Sequence, residues 1–202
     1  MTQTELPWVP PGSDQIAFYA RSRRLLYEAR PQEEWFRRWE PHDTLVSPEF
    51  WFNAVSVPGP WGVAVAAEAW TAGERIMPIE RALVVFVEWR GAPSYGPRGA
   101  LRVGEPFLTK TMFLEKPPPP KIEIGDPIWD QHVTTFALTF EDALAAFPKR
   151  LREYLRTQGF RGHLEVRPYG FVLHPESCMP RPDHYELAFR MASDVAYALR
   201  TP

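Results

Sequence analysis

The residues with the most chemical potential lie close together near the C-terminus, in His174-Pro-Glu-Ser-Cys-Met-Pro-Arg-Pro-Asp-His184. A cysteine attacks as its thiolate, which needs a positive and partly exposed setting, and Arg181 with His174 or His184 would supply one for Cys178. Prolines at 175, 180 and 182 oppose that use. They make the segment a tight connection into a following helix, with Asp183 as its cap and His184 in its first turn. A second polar pair, Asp130 and His132, would point to one side if both sat on a strand. Cys178, His174, His184, Asp130 and His132 are thus the candidates for chemistry, and no catalytic assignment follows from them alone.

Other chemistries find less support. The histidines (His42, His132, His163, His174 and His184) are scattered, with no H-x-x-x-H or H-E-x-x-H spacing. Zinc sites draw three or four ligands, usually from close sequence pairs, so neither a metal nor any other cofactor is expected. His174, Glu176 and Cys178 share alternating parity, which polar residues at a turn also produce. No G-x-S-x-G, G-x-x-x-x-G-K-[ST] or G-x-G-x-x-G occurs. Gly91, Gly96, Gly99 and Gly104 are spaced like a glycine-rich loop. Pro93 and Pro97 interrupt it and strands follow, so it reads as an exposed hairpin loop rather than a phosphate cradle.

Charge and aromatic content bear on partners. Residues 21–38 carry arginines at 21, 23, 24, 30, 37 and 38, and Lys149, Arg152 and Arg156 stack along one helix face. The formal net charge is nevertheless −2, and lysine is scarce beside arginine, as GC-rich bacterial coding produces. No nucleic-acid partner is expected. Tryptophan is abundant, with eight residues. Most of these side chains fit a core packed against small residues such as the alanines of 64–69. Trp35 and Trp39, four apart on one face of a short helix with Arg37 and Arg38 on others, are the best candidates for a protein-interaction surface.

Those residues need elements to hold them. The chain has 202 residues, enough for a core without disulfides, and proline, at 23 residues, is about twice as frequent as the usual ~5%. One cysteine excludes an internal disulfide and favours a reducing compartment. No secretory signal or membrane-length apolar run is visible, so a cytoplasmic location is expected.

The spacing of Ile16, Tyr19, Ala20 and Arg23, continued by Leu26 and Ala29, predicts a helix from Ser13 or Asp14 to Ala29. A shorter one follows over Glu33–Trp39. Strands are predicted at Phe50–Val57, Trp61–Trp70, Ala82–Trp89 (apolar on both faces, hence central), Ala100–Val103 and Phe107–Glu115. Pro117–Pro120 reads as a polyproline II spacer. It either joins two strands of one sheet or separates a region 1–116 from a unit 122–202.

The last third predicts a strand at His132–Leu138 and a helix from Phe140 capped by Thr139. A second helix begins at Pro148 with Leu151, Tyr154 and Leu155 inward, and Gly159 stops it. A hairpin then pairs His163–Arg167 with Phe171–His174. The final helix is capped by Asp183 with Glu186 as its capping-box partner.

The run Gly125-Asp126-Pro127-Ile128-Trp129-Asp130, the strand after it, the Pro148 helix with Leu151-Arg152 and Leu155, and the glycine hairpin together resemble an uncharacterised bacterial domain family. The resemblance covers about residues 122–200, mostly at packing positions. Members of that family are often joined to membrane segments, and this chain shows no such segment. The resemblance implies a fold and no activity.

The fold expected is α+β: N-terminal helices, a central antiparallel sheet and a C-terminal β-α-α-β-β-α unit. The function expected first is a non-catalytic, cytoplasmic protein-interaction or adaptor role. The alternatives are a small enzyme with a site built from the 174–184 loop and Asp130/His132, or a small-molecule binding domain.

Overall fold

The computed structural model describes residues 8–71, 80–91, 96–104, 114, 116–176 and 178–200. It is an α+β protein built on one eight-stranded sheet of order β1-β2-β3-β4-β8-β7-β5-β6. The strands are β1 (Leu26–Glu28), β2 (Phe50–Gly59), β3 (Gly62–Thr71), β4 (Glu80–Trp89), β5 (Gly99–Val103), β6 (Thr134–Phe136), β7 (Gly162–Arg167) and β8 (Gly170–Pro175). All neighbours pair antiparallel. The helices are α1 (Ser13–Ser22), α2 (Glu33–Arg37), α3 (Pro127–His132), α4 (Phe140–Ala146), α5 (Lys149–Thr157) and α6 (Pro182–Arg200).

Strand β4 lies inside the sheet, as its two apolar faces require, and Leu83 through Val87 are all fully buried. The hairpin β7–β8 slots between β4 and β5. This separates those two strands, so β4 and β5 are not the arms of the hairpin that the glycine spacing suggests. Gly170 permits the close approach of β8 to β4, since a Cβ there would lie 1.8 Å from the Val87 carbonyl oxygen. Strands from both sides of Pro117–Pro120 lie in the one sheet, β5 between β7 and β6.

Two cores result. On one face α1, α4, α5 and α6 bring Ile16, Ala143, Leu151, Leu155, Ala188 and Ala192 against Ala64, Ala66, Val85, Val87, Leu164 and Leu173. On the other, α2 and the segment after it bring Phe36, Trp39 and Leu45 against Trp51, Val65, Ala67, Val84, Phe86 and Val172.

Several elements differ from their sequence reading. The first helix stops at Ser22 rather than reaching Ala29. Arg24 takes φ 56° and the Leu25 N–H closes onto the Ala20 carbonyl at 2.9 Å, a left-handed helix end that frees residues 26–28 to pair with β2. The strand predicted from His132 is only Thr134–Phe136. Asp126 accepts the Trp129 N–H at 3.3 Å with Pro127 in the first turn, so residues 127–132 are helical instead. Asp183 does not cap α6: it lies inside the helix and pairs with Arg181 at 3.1 Å, while Glu186 reaches Tyr19 and Arg23. The strand predicted at 107–115 falls almost wholly outside the described residues.

Candidate functional site

Cys178 and His174 both bond to Leu83 and His184 bonds to Met179, whereas Asp130 and His132 lie apart from them in sequence on α3. Cys178 is buried in the helix-side core, and its backbone carbonyl accepts the Leu83 N–H at 3.4 Å. His174, on β8, is buried with Nδ1 on the Leu83 carbonyl at 3.2 Å, and burial lowers its pKa. His184 Nδ1 accepts the Met179 N–H at 2.7 Å, so the imidazole braces the turn into α6.

Asp130 and His132 sit two apart on α3, which sends them to different sides of the helix. Asp130 accepts the backbone N–H groups of Ile124, Gly125 and Asp126 at 3.0–3.1 Å. These are structural uses. No group of three or more potential metal ligands comes together among the described residues.

The aromatic pair separates too. Trp39 is fully buried, packed on Phe86 and Tyr169 at 5.4 and 4.9 Å between ring centroids. Trp35 stays half-buried at the edge of that core, with the Arg38 guanidinium 4.7 Å over its ring. Arg37 ties α2 to Glu33, Glu40 and the Glu49 carbonyl, and Arg38 pairs with Glu88 at 2.5 Å. Of the four residues, Trp35, Arg37 and Arg38 reach solvent.

His132 lines an open recess of about 340 Å³ between α3 and α5. Val103, Ile128, Trp129, Val133, Leu155 and Phe160 form it, with Arg156 and Arg161 on its rim. The recess exists because α3 packs only Trp129 inward and leaves Ile128 56% exposed. Arg161 is bound to Glu176 at 2.7 Å, whereas Arg156 makes no ion pair with a described residue.

A second constellation escaped the sequence. His163, Glu165 and Arg167 alternate along β7, and the 41–45 segment covers them. Arg167 Nε donates to Glu165 Oε1 at 2.6 Å, and its guanidinium also reaches the Tyr169 hydroxyl and the Pro41 carbonyl. The Asp43 N–H donates to Glu165 Oε2 at 2.9 Å, and Thr44 Oγ1 lies 2.7 Å from His163 Nδ1. His42 Nδ1 stands 3.7 Å from the same carboxylate.

Burial pushes the Glu165 carboxyl up, but the His42 imidazole and the Arg167 charge outweigh it and hold the group below the ordinary carboxylate range. Burial also drives His163 down to about 3, against the pull of Glu165, so both groups sit in their unprotonated forms at neutral pH. At the outer end, Arg98 grips Asp43 with two bonds of 2.9 and 3.0 Å, and Lys116 donates to Asp43 Oδ1 at 2.9 Å. The hydrogen bond to Asp43 raises the pKa of Arg98.

The architecture is that of an α+β protein with one mixed-order antiparallel sheet, closed by helices on one face and by a short helix and loop on the other. It is similar to the crystal structure of the mycobacterial trehalose monomycolate transport factor A, TtfA. The TM-score is 0.56 and identity 15%, over 95% of this chain and 96% of that one. At that identity the likeness establishes the fold alone. No protein-family model and no curated protein matches the chain. No helix among the described residues is long and apolar enough to cross a membrane.

Proposed function

We propose that this chain is a non-catalytic accessory protein that works in the cytoplasm by holding a protein partner. The observation that carries the reading is the contrast between the catalytic candidates and the α3–α5 recess. Cys178 and His174 are buried, and Asp130 and His184 are spent on local backbone bonds. The recess is apolar and open, and Arg156 stands on its rim without an ion pair among the described residues. Such a surface fits a partner segment that offers apolar side chains flanked by a carboxylate. The likeness to a protein named as a transport factor supports an accessory role, in which the chain presents one molecule to another rather than converting it.

The test pairs Ile128→Asp with Arg156→Glu in quantitative co-purification from the native host, with melting temperature as the folding control. Ile128 is largely exposed, so both variants keep the wild-type melting temperature and lose the same partner. Retention of every partner by both variants overturns the recess as the contact.

A further inference from the structure

The second recess of interest lies at the opposite end of the C-terminal unit, over the Asp43 cluster. It holds about 300 Å³ and is lined by Asp43, Arg98, Gly99, Lys116, Pro117, Pro119, Ala137 and Leu138. The charged residues there do not balance. Arg167 and Glu165 neutralise each other deep in the cluster, with side chains 5% and 0% exposed. At the mouth a single carboxylate, Asp43, is shared by two cations, and both bonds of 2.9 Å end on the same oxygen, Oδ1.

One positive charge is therefore in excess among the described residues lining the recess. Hydrogen-bonding capacity is in excess as well. Arg98 uses Nε and Nη2 on Asp43, leaving Nη1, and Lys116 uses one of three N–H donors. No other described side chain of the wall can donate to an anion, because Pro117, Pro119, Ala137 and Leu138 offer only apolar side chains. Leu138 stands 72% exposed beside the two cations.

We propose that this recess binds a small aliphatic carboxylate, its head group held by Arg98 and Lys116 and its chain laid against Pro117, Pro119 and Leu138. A monoanion matches the single surplus charge, and the apolar wall selects for a short hydrocarbon chain over a bare inorganic anion. Because the Arg98 fork is already committed to Asp43, the head group receives single bonds rather than a bidentate clamp, and a Kd of about 1 mM is expected. The site is separate from the α3–α5 recess, so either assignment stands or fails without the other.

The experiment titrates the full chain at fixed ionic strength with sodium hexanoate, hexylammonium chloride and sodium phosphate, followed by calorimetry or amide chemical shifts. Hexanoate saturates, hexylammonium does not bind, and phosphate binds at least about tenfold more weakly. Lys116→Met, which leaves Arg98 on Asp43, and Leu138→Asp, at an exposed position, each raise the hexanoate Kd about tenfold or more with the melting temperature unchanged. Ile128→Asp leaves the Kd as it was. No saturation by about 20 mM hexanoate overturns the proposal. So does an unchanged Kd in both variants, phosphate binding as tightly as hexanoate, or loss of hexanoate binding in Ile128→Asp.

Discussion

On one face of the sheet, helices α1, α4, α5 and α6 meet alanine- and valine-rich strands, and the buried carboxylate there is fully served. Glu68 accepts from Trp70 Nε1 and Arg81 Nε at 2.5 Å each and from Asn53 Nδ2 at 2.8 Å, while Tyr27 donates to Asn53 Oδ1. Asn53 reaches it from a bulge in β2, where its φ is 51°. On the other face, a five-residue helix and a loop cover rings and ions, and the polar atoms are less well served. Trp39 Nε1, Trp51 Nε1, both His42 nitrogens and His163 Nε2 are buried without a hydrogen-bond partner among the described residues.

The difference teaches where each half of the core is vulnerable. Helices satisfy their own backbone and bury area that tolerates substitution, whereas a loop must be anchored by specific polar bonds whose loss leaves charges stranded. The helix-covered face should lose stability in small steps. The loop-covered face should fail when the buried Glu165–Arg167 pair loses one partner.

The largest effect expected follows from that asymmetry. Glu165→Gln leaves the Arg167 guanidinium, 5% exposed, without its counter-charge, at a cost of about 3–5 kcal/mol. Glu68→Gln keeps an acceptor for Trp70 or Arg81, and Arg81 is 28% exposed with a second bond to the Pro11 carbonyl, so about 1–2 kcal/mol is expected. Urea denaturation of the two variants measures the gap. Equal costs would break the distinction between the faces.

The two faces should also fail at opposite ends of the pH scale. His163 has a folded pKa of about 3 against an ordinary value of 6.5, so below that ordinary value protons favour the unfolded chain. Its contribution is complete above about pH 6.5 and is lost as pH falls toward about 3. Glu165, held below the carboxylate range, acts in the same direction at lower pH.

The helix side behaves in reverse. Burial, aided by the bond to Glu186, raises Tyr19 to about 12, and burial raises Tyr154 on α5 as well. Stability carried by those phenols is present below about pH 10 and is lost as pH climbs through their folded values. Hydrogen exchange resolved by segment should therefore show residues 41–45 and β7 opening first at pH 4, and α1, α5 and α6 opening first at pH 11. The same segments opening first at both extremes would remove the proposed division.

How much of this was legible in the sequence follows from the range of each signal. The hairpins β2–β3 and β7–β8, the central placement of β4 and the α4–α5 break at Pro148 are written in spacings of a few residues, and the structure contains all of them. The end of α1 was hidden because Leu26 and Ala29 keep the helical period that the left-handed Arg24 interrupts. The insertion of β7–β8 between β4 and β5 leaves no local trace. The ionic cluster was invisible for a sharper reason. Alternating His163, Glu165 and Arg167 look like the wet side of a hairpin, and the residue that makes them a core, Thr44, lies 119 positions away. Trp35 and Trp39 share a helical period and yet part at the core boundary, which period alone cannot place.

The smallest expected effects separate burial from mere charge pairing. Each face carries an ion pair at its rim: Arg38–Glu88 at 2.5 Å on the loop side, and Arg23–Glu186 at 3.4 Å on the helix side. Their side chains are 39–57% exposed, so water screens both, and Arg38 adds only its contact over Trp35. Double-mutant cycles through alanine should return coupling energies below about 1 kcal/mol for each pair, with no more than about 0.5 kcal/mol between them. Equal, small couplings at the rims beside a large gap between Glu165→Gln and Glu68→Gln would place the asymmetry in desolvation beneath the loop. A large coupling for Arg38–Glu88 alone would place it instead in the docking of α2, and Trp35 with Arg38 would then anchor that face from outside.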